Sequence, residues 1–443
     1  MLDFTNIENY RENNRIEAKK ALGGLPHSIW ETYSAFANTM GGIILLGVEE
    51  YRDKTFHTVD LPMPERLVSE FFELLNDKKT VSVNILSEND VRIHEVDGNR
   101  IIAINIPRAR RADKPVYVGG DPKGGTYRRN GEGDYKCTPD EIAAMLRDAE
   151  LVGADMSVAY GSGLDAFDPQ SVSNYCLGLG VQDRVGDADF LAEIGAVKSL
   201  NGEMIPTVAG LLMFGRNNKI VEKFPDFSLE YIDGEGVLRG ENLWRFYISV
   251  CERLFAASDD DGVRNALYEA LANSLVNADY NGNGGIKVIN INSAVSFSNP
   301  GGFRIDVDTA LGGGVSDPRN CAITKMFNLA GVGKGTGSGI PNIYRVWKSR
   351  GFSVPIFEES FDPDCVTLTL ELGNEGVETR GGKEITAHRK DVVADYLTVK
   401  ISATRGDISD LLGVSLDCAE AILSEMIGDG IVASEGEGYR LRA

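Results

Sequence analysis

The sequence predicts an α/β protein of several domains, and three observations carry that expectation. Segments whose apolar residues recur every three or four positions alternate with short apolar runs that suit strands. Two stretches of small and polar residues, 153–165 and 373–384, read as linkers. The length of 443 residues accommodates roughly three domains of ~150 residues. The divisions expected from these signals are 1–152, 166–258, 259–372 and 386–443.

Residues 1–152 open on a mixed Asn/Glu/Arg stretch that leads into a strand near Arg15 to Ala18. Pro26 starts a helix in which Ile29, Trp30, Tyr33 and Phe36 recur at helical steps, and the helix stops at Asn38. Gly41 and Gly42 turn the chain into an apolar strand, Ile43 to Val48. A helix from Leu67 to Leu75 precedes expected strands at Val81 to Leu86, Val91 to Val96 and Ile101 to Ile106. A basic, glycine-rich loop follows, and a helix from Pro139 to Leu151, capped by Thr138, closes the unit.

In residues 166–258 helices are expected near Val172 to Leu179, Ala188 to Ala196 and Leu243 to Ala256. Thr207 to Phe214 reads as an apolar strand and Phe227 to Ile232 as a second. The acids here are dispersed, which suits a scaffold.

Residues 259–372 carry the most chemistry. Leu267, Ala270, Leu271, Ser274 and Leu275 mark a helix, and Glu269 and Asn273, four residues apart, share one of its faces. A carboxylate and a carboxamide so placed suit a water and a hard cation such as Mg²⁺. Strands at Ile286 to Asn290 and Val295 to Ser298 end in a Pro-Gly-Gly turn. Gly333, Gly335, Gly337 and Gly339 then stand immediately before a helix. Bare backbone N–H groups at a helix N-terminus favour phosphate.

The last division, 386–443, has helix-turn-helix spacing: helices at Val392 to Val399, Arg405 to Leu412 and Leu416 to Met426, a turn at Gly413, and a two-stranded wing around Gly436. Residues 385–443 hold ten acids against six bases, so phosphate repulsion opposes insertion into a major groove. Both protein contact, including dimerisation, and DNA contact stay open.

Composition narrows the function classes. No apolar run approaches the ~20 residues of a membrane span. The N-terminus, MLDFTNIENYRENN, is polar and unlike a signal peptide, so a cytoplasmic protein is expected. Six scattered cysteines without a C-x-x-C pair, and only four histidines, argue against a disulfide framework or a zinc site. A net charge of −21 argues against coating nucleic acid with the whole surface. Between Arg100 and Lys136, however, nine Lys/Arg face four Asp/Glu, a local excess of five positives. Arg108, Arg110, Arg111, Arg128 and Arg129, with Lys19, are the candidate phosphate contacts, because guanidinium forks fit phosphate oxygens.

RIEAKK, SAFANTMGGIILLGVEE, PVYVGG and GTYRRNGEG together resemble the Schlafen-like, Alba-type (divergent AAA) DNA-binding domain over nearly all of residues 1–152. The resemblance implies a compact α/β core with basic loops facing nucleic acid, DNA foremost. Some Schlafen relatives cleave RNA with three carboxylates around a divalent ion; by that likeness Glu12, Glu17 and Glu49 would form the set, and a metal-dependent nuclease is the alternative function.

The order Glu-x-x-x-Asn helix, Asn-x-Gly strand end and Gly-x-Gly-x-Gly before a helix resembles the GHKL ATPases, an α/β sandwich. By that resemblance Glu269 would be the general base, Asn273 the Mg²⁺ ligand, Asn299 and Gly301 the adenine-side turn, and Gly335, Gly337 and Gly339 the phosphate cradle. Asn299 stands where the family carries Asp, and Asn277-Ala278-Asp279-Tyr280 replaces His-Arg-Asp-Tyr. The likeness therefore implies ATP binding more directly than hydrolysis. With a C-terminal winged helix, the expected protein is an ATP-responsive transcriptional regulator of bacterial type, as a homo-oligomer such as a dimer. An interaction scaffold with a decayed nucleotide pocket is a third reading.

Overall fold

A computed structural model of the chain describes residues 7, 10, 12–150, 153–291, 293–333, 337–361, 363–373, 390, 393–394, 396–397, 402–412, 416–435 and 438–442, without the side chains of 308, 409–412, 416–418, 421 and 435. It is an α/β protein with two compact units, Met1–Ala149 with Lys383–Ala443, and Glu150–Gly382. No helix among the described residues is long and apolar enough to cross a membrane.

The N-terminal part is built on a four-stranded sheet in the order Ile16–Lys19, Gly42–Leu46, Asn99–Ile106, Val91–Val96. The first pair is parallel and the others antiparallel. Helix Ile29–Asn38 buries its apolar face, including Ile29, Tyr33 and Phe36, and some of its polar residues as well. Ser34 and Asn38, one turn apart, account for that burial, since buried polar groups must be paired. Ser34 Oγ donates to the Val116 carbonyl at 2.7 Å and accepts from Tyr127 N at 3.0 Å. Asn38 Nδ2 donates to the carbonyls of Val116 (2.8 Å) and Tyr127 (2.9 Å), and its Oδ1 accepts from Val116 N (2.9 Å). At Gly42 a Cβ would lie 2.8 Å from the Phe36 ring, so the strand can cross the helix only without a side chain there. The SAFANTMGG motif is thus a packing signature.

The expected strand at Val81 to Leu86 does not form; its ladder is reduced to one bridge, Val81 with Val118. Tyr33 takes the place of a neighbouring strand: its hydroxyl accepts from Ile85 N at 2.9 Å and donates to the Val83 carbonyl at 3.2 Å. Helix Pro139–Ala149 begins with the expected Thr138 cap, in reciprocal form: Glu141 N donates to Thr138 Oγ1 (3.3 Å) and Thr138 N to Glu141 Oε2 (2.6 Å).

At the C-terminal end, helices Arg405–Leu412 and Leu416–Gly428 accompany a three-stranded antiparallel sheet ordered Ala403–Thr404, Gly438–Leu441, Val432–Glu435. Ile408, Leu423, Met426 and Val432 form its core. The longer helix exposes Glu420 and Glu425, paired with Arg405 and Lys390 respectively. Of the expected first helix, residues 393, 394, 396 and 397 are described and helical and the other four lie outside the described residues, as do the turn at Gly413 and the wing residues Gly436 and Glu437.

The second unit is organised by a six-stranded sheet ordered Gly236–Arg239, Leu229–Asp233, Ile286–Ile291, Ala294–Pro300, Asp364–Glu371, Ile356–Phe361. Only the Leu229–Asp233 and Ile286–Ile291 pair is parallel. Helices Asp261–Asn277 and Gly339–Arg350 pack on each other, and their buried residues join a single core that runs from Ala159 to Leu370. The boundary expected at 258–259 falls inside this core.

Thr207 to Phe214 is not a strand. Val208–Phe214 is a helix buried at every residue, with Thr207 Oγ1 accepting from Gly210 N at 3.0 Å as its cap. An unbroken apolar run carries no period by which helix and strand can be told apart. The expected linker at 153–165 is also tied down: Asp155 is 1% exposed and caps helix Cys321–Leu329, its Oδ2 accepting from Ala322 N (2.8 Å) and Ile323 N (2.9 Å).

Candidate functional site

Helix Asp261–Asn277 presents Glu269, Asn273 and Asn277, spaced one turn apart, to a cavity of about 190 Å³ in the second unit. The sheet supplies the facing wall. Phe297 and Asn299, two residues apart on one strand, share a face, and their cross-strand partners Leu368 and Val366 line the cavity with them. Gly337, Ser338 and Gly339 close one end, at the N-terminus of helix Gly339–Arg350. Glu269, Asn273, Asn299, Gly337 and Gly339, expected from sequence to act together, therefore line one cavity. Gly335 lies outside the described residues.

Glu269 and Asn273 stand at that helix N-terminus. Glu269 Oε2 accepts from Asn342 Nδ2 at 3.0 Å, while a Cβ added to Gly339 would sit 2.9 Å from Glu269 Oε1 and 3.2 Å from Asn273 Nδ2. The missing side chain thus leaves the space between carboxylate, carboxamide and helix end. The Glu269 carboxylate, and Asn273 once its amide turns Oδ1 to the space, would suit Mg²⁺, which is commonly held by one or two protein groups plus substrate phosphates. Among the described residues no group of three or more His, Cys, Asp or Glu is arranged to hold a metal ion, so waters and substrate oxygens would complete the shell. Gly337 has a left-handed φ of +68°, and a Cβ there would meet the Val315 carbonyl oxygen at 2.2 Å. Only glycine lets the segment at Val315 close over the loop.

The far end of the carrier helix is capped by residues that sequence reading missed. Its last turn has no Lys or Arg, and its terminal carbonyls need outside donors. The Arg319 guanidinium donates to the carbonyls of Asn277 and Gly302, the latter at 3.0 Å. Asn320 Nδ2 donates to the carbonyls of Val276 (3.1 Å) and Ala278 (2.8 Å). Gly301, expected as a ligand contact, lies outside the cavity lining and seats this arginine instead: at φ +94°, its Cβ would come 2.7 Å from Arg319 Nη1. The signal in the sequence was the Arg-Asn pair just before an apolar helix.

In the N-terminal part most of the expected cations are engaged internally. Arg129 has 1% of its side chain exposed; Nη2 meets Glu17 at 2.9 Å and Nη1 meets Asp134 at 2.8 Å. It also donates to the Asn13 carbonyl at 2.8 Å and lies 5.0 Å over the Phe36 ring. Lys19 binds Glu17 (2.7 Å) and Ser28 Oγ (3.1 Å), Arg128 binds Glu141 (2.6 Å), and Arg111 donates to the Asp148 carbonyl (2.8 Å). Arg108 is half-buried. Arg110 differs: 85% of its side chain is exposed, beside Asp113 at 2.8 Å. Arg129 and Lys19 are therefore struts of the fold, and of the six expected phosphate contacts Arg110 is the one that faces solvent.

The carboxylates Glu12, Glu17 and Glu49 do not assemble as a set. Successive residues of a strand face opposite ways, and on strand Val48–Glu50 it is Glu50 whose Oε1 accepts from Glu12 N at 3.1 Å. Glu49 turns to Lys20 at 2.7 Å. Glu12 accepts from Ala18 N at 3.1 Å, and burial, then the charges of Glu17 and Glu50, push its carboxyl above the ordinary range.

Residues 12–138 match the family "Schlafen, AlbA_2", residues 143–230 the domain of unknown function DUF8451, and residues 283–370 the family "Putative ATP-dependent DNA helicase recG C-terminal". The third match begins beyond the helix that bears Glu269 and Asn273. No curated protein matches the chain. Among solved structures, the DIP2311 protein from Corynebacterium diphtheriae is similar at 18% identity and a TM-score of 0.42, covering 97% of this chain and 80% of its own. The N-terminal domain of a "Putative ATP-dependent DNA Helicase RecG-related Protein" from Nitrosomonas europaea is 29% identical with a TM-score of 0.25, covering 31% of this chain and 95% of its own. By its matched segments the chain resembles Schlafen-type and RecG-related, ATPase-like domains carried on one polypeptide, a combination that points to nucleic-acid-related work.

Proposed function

We propose that this protein is a nucleic-acid-binding regulator, acting on DNA, whose second unit binds ATP with Mg²⁺ and whose nucleotide state alters its hold on nucleic acid. The observation that carries the reading is the convergence of Glu269, Asn273, Asn299 and the glycines at 337 and 339 on one cavity beside a helix N-terminus. Asn273 would hold the cation with phosphate oxygens, Glu269 would orient a water, and the helix end would meet phosphate. An open cavity speaks against a scaffold whose pocket is closed by side chains. A winged-helix reading of the C-terminal helices and sheet, with its acidic exposed helix, suits contact with protein or a second copy better than insertion into a groove.

ATP would influence nucleic-acid affinity by binding one arrangement of the chain more tightly than another. Calorimetric titration with ATP and Mg²⁺ tests the first half: the wild type binds, and Asn273→Ala loses the Mg²⁺-dependent part. Unchanged binding in that variant removes the cation role. A gel-shift series with and without ATP, at two salt concentrations, tests the second half; identical shifts with and without nucleotide sink the coupling.

A further inference from the structure

We infer that a face built from two loops of the N-terminal part, with Lys78 and Lys79 on one and Lys123 on the other, holds the phosphate backbone of DNA. The inference rests on the nucleic-acid reading above and locates its contact surface. The turn Asp77–Thr80, closed by Thr80 N donating to the Asp77 carbonyl at 2.8 Å, sets Lys78 and Lys79 at its two central positions. In the second loop Val118 N donates to the Gly125 carbonyl at 2.9 Å, and a Cβ on Gly125 would lie 1.9 Å from the Val118 carbonyl oxygen. Only glycine closes that loop, and its short helix Pro122–Gly125, capped by Asp121, carries Lys123. The two loops lie side by side. Gly119 N donates to the Thr80 carbonyl at 3.3 Å, Ser82 N donates to the Tyr117 carbonyl at 2.8 Å, and Val81 bridges Val118. Lysines far apart in sequence are thereby brought to one edge of the fold.

All three lysines are exposed, and among the described residues none of their ammonium groups is in an ion pair. The carboxylates beside them are turned to backbone: Asp77 Oδ1 accepts from Lys79 N at 3.0 Å and Asp121 Oδ1 from Lys123 N at 3.0 Å. Gly119 and Gly120, exposed in the loop between, have no side chain to hold a phosphate strand away. Arg129, Arg128 and Lys19 are the opposite case, each already met by a carboxylate. An ammonium on a flexible stem is a point charge that suits phosphate, and phosphate contacts carry no sequence information. The face therefore holds DNA without reading it.

The test is a salt series of fluorescence-anisotropy titrations of the full chain with two labelled DNA duplexes of unrelated sequence. Combining Lys78→Ala, Lys79→Ala and Lys123→Ala should reduce the slope of log affinity against log salt by about three, equally on both duplexes. Lys123→Ala alone should reduce it by about one. Lys→Arg at the same three positions should keep the wild-type slope, which a merely structural role of the lysines would not predict. Lys54→Ala should leave the slope unchanged, because that ammonium already meets Glu50 at 3.0 Å and Glu132 at 3.2 Å. A triple variant whose slope stays within about 0.5 of the wild type overturns the inference and leaves nucleic-acid binding standing. So does a fall in Lys54→Ala as large as in Lys123→Ala. Absence of DNA binding by the wild type overturns both readings. Should circular dichroism show the triple variant unfolded, Lys123→Ala alone decides.

Discussion

Polar side chains in the two units are disposed in opposite ways. In the first, the residues that look most like a phosphate-binding cluster face inward: Arg129 is shared between Glu17, Asp134 and a backbone carbonyl, and Lys19 is held by Glu17. In the second, Glu269, Asn273 and Asn299 are held by the fold yet turned toward a cavity. A cationic cluster in sequence is therefore not yet a surface. What separates the cases is whether a charge is met by opposite charges within its unit, as Arg129 and Lys19 are, which linear charge counts do not record.

The sharpest way to break this contrast is Arg129→Ala. Removing the buried guanidinium takes from Asp134 its ionic partner and leaves Glu17 with Lys19 alone, and a loss of about 3–5 kcal/mol is expected in urea unfolding of the first unit. A loss below about 1 kcal/mol, the range of an exposed pair, would mean that Arg129 is no strut. Next in size is Gly337→Ala, with an expected cost of about 1–3 kcal/mol from left-handed backbone strain before the collision with the Val315 carbonyl is added. Thermal unfolding reads it. Gly339→Ala should instead leave stability within about 1 kcal/mol, since the position is helical, but should weaken ATP about tenfold by filling the space beside Glu269 and Asn273. Equal ATP binding in that variant would detach the cavity from the proposed ligand.

A pH experiment probes the same contrast inside the second unit. Burial holds the Asp155 carboxyl above its ordinary value. Its folded form then keeps a proton that the unfolded chain releases near pH ~3.9. Its contribution to stability is complete below that pH and is lost as pH rises through the folded value. Asp155→Asn, which mimics the neutral form, should gain in melting temperature relative to wild type as pH is raised from acid to neutral. A gap that stays constant would contradict a protonated, buried carboxyl. The smallest effect belongs to Arg110→Ala: stability unchanged, and the slope of log affinity for DNA against log salt reduced by about one. An unaltered slope would place the phosphate contacts elsewhere.

Local periodicity made much of this fold legible. The Glu269/Asn273 helix, the strands that follow it and, among the described residues, Gly333 and Gly337 before Gly339–Arg350 are where the pattern puts them, because the apolar stripe and the missing Cβ atoms act within a few residues. Thr207–Phe214 was illegible because a segment buried all round shows no stripe, and Val81–Leu86 because Tyr33, distant in sequence, takes the ladder bonds. The choice of Glu50 over Glu49 depends on strand phase, and the capping roles of Arg319 and Asn320 depend on a turn that only folding brings to the helix end.

Asp155 has one more consequence. The helix it fastens, Cys321–Leu329, contributes Thr324, Phe327 and Asn328 to the cavity wall. The chain entering the second unit is thus moored to that wall within its first few residues, by two hydrogen bonds to a helix end. A shift of that wall helix therefore strains the two bonds to Asp155, and loss of those bonds removes the carboxylate acceptor from the helix end.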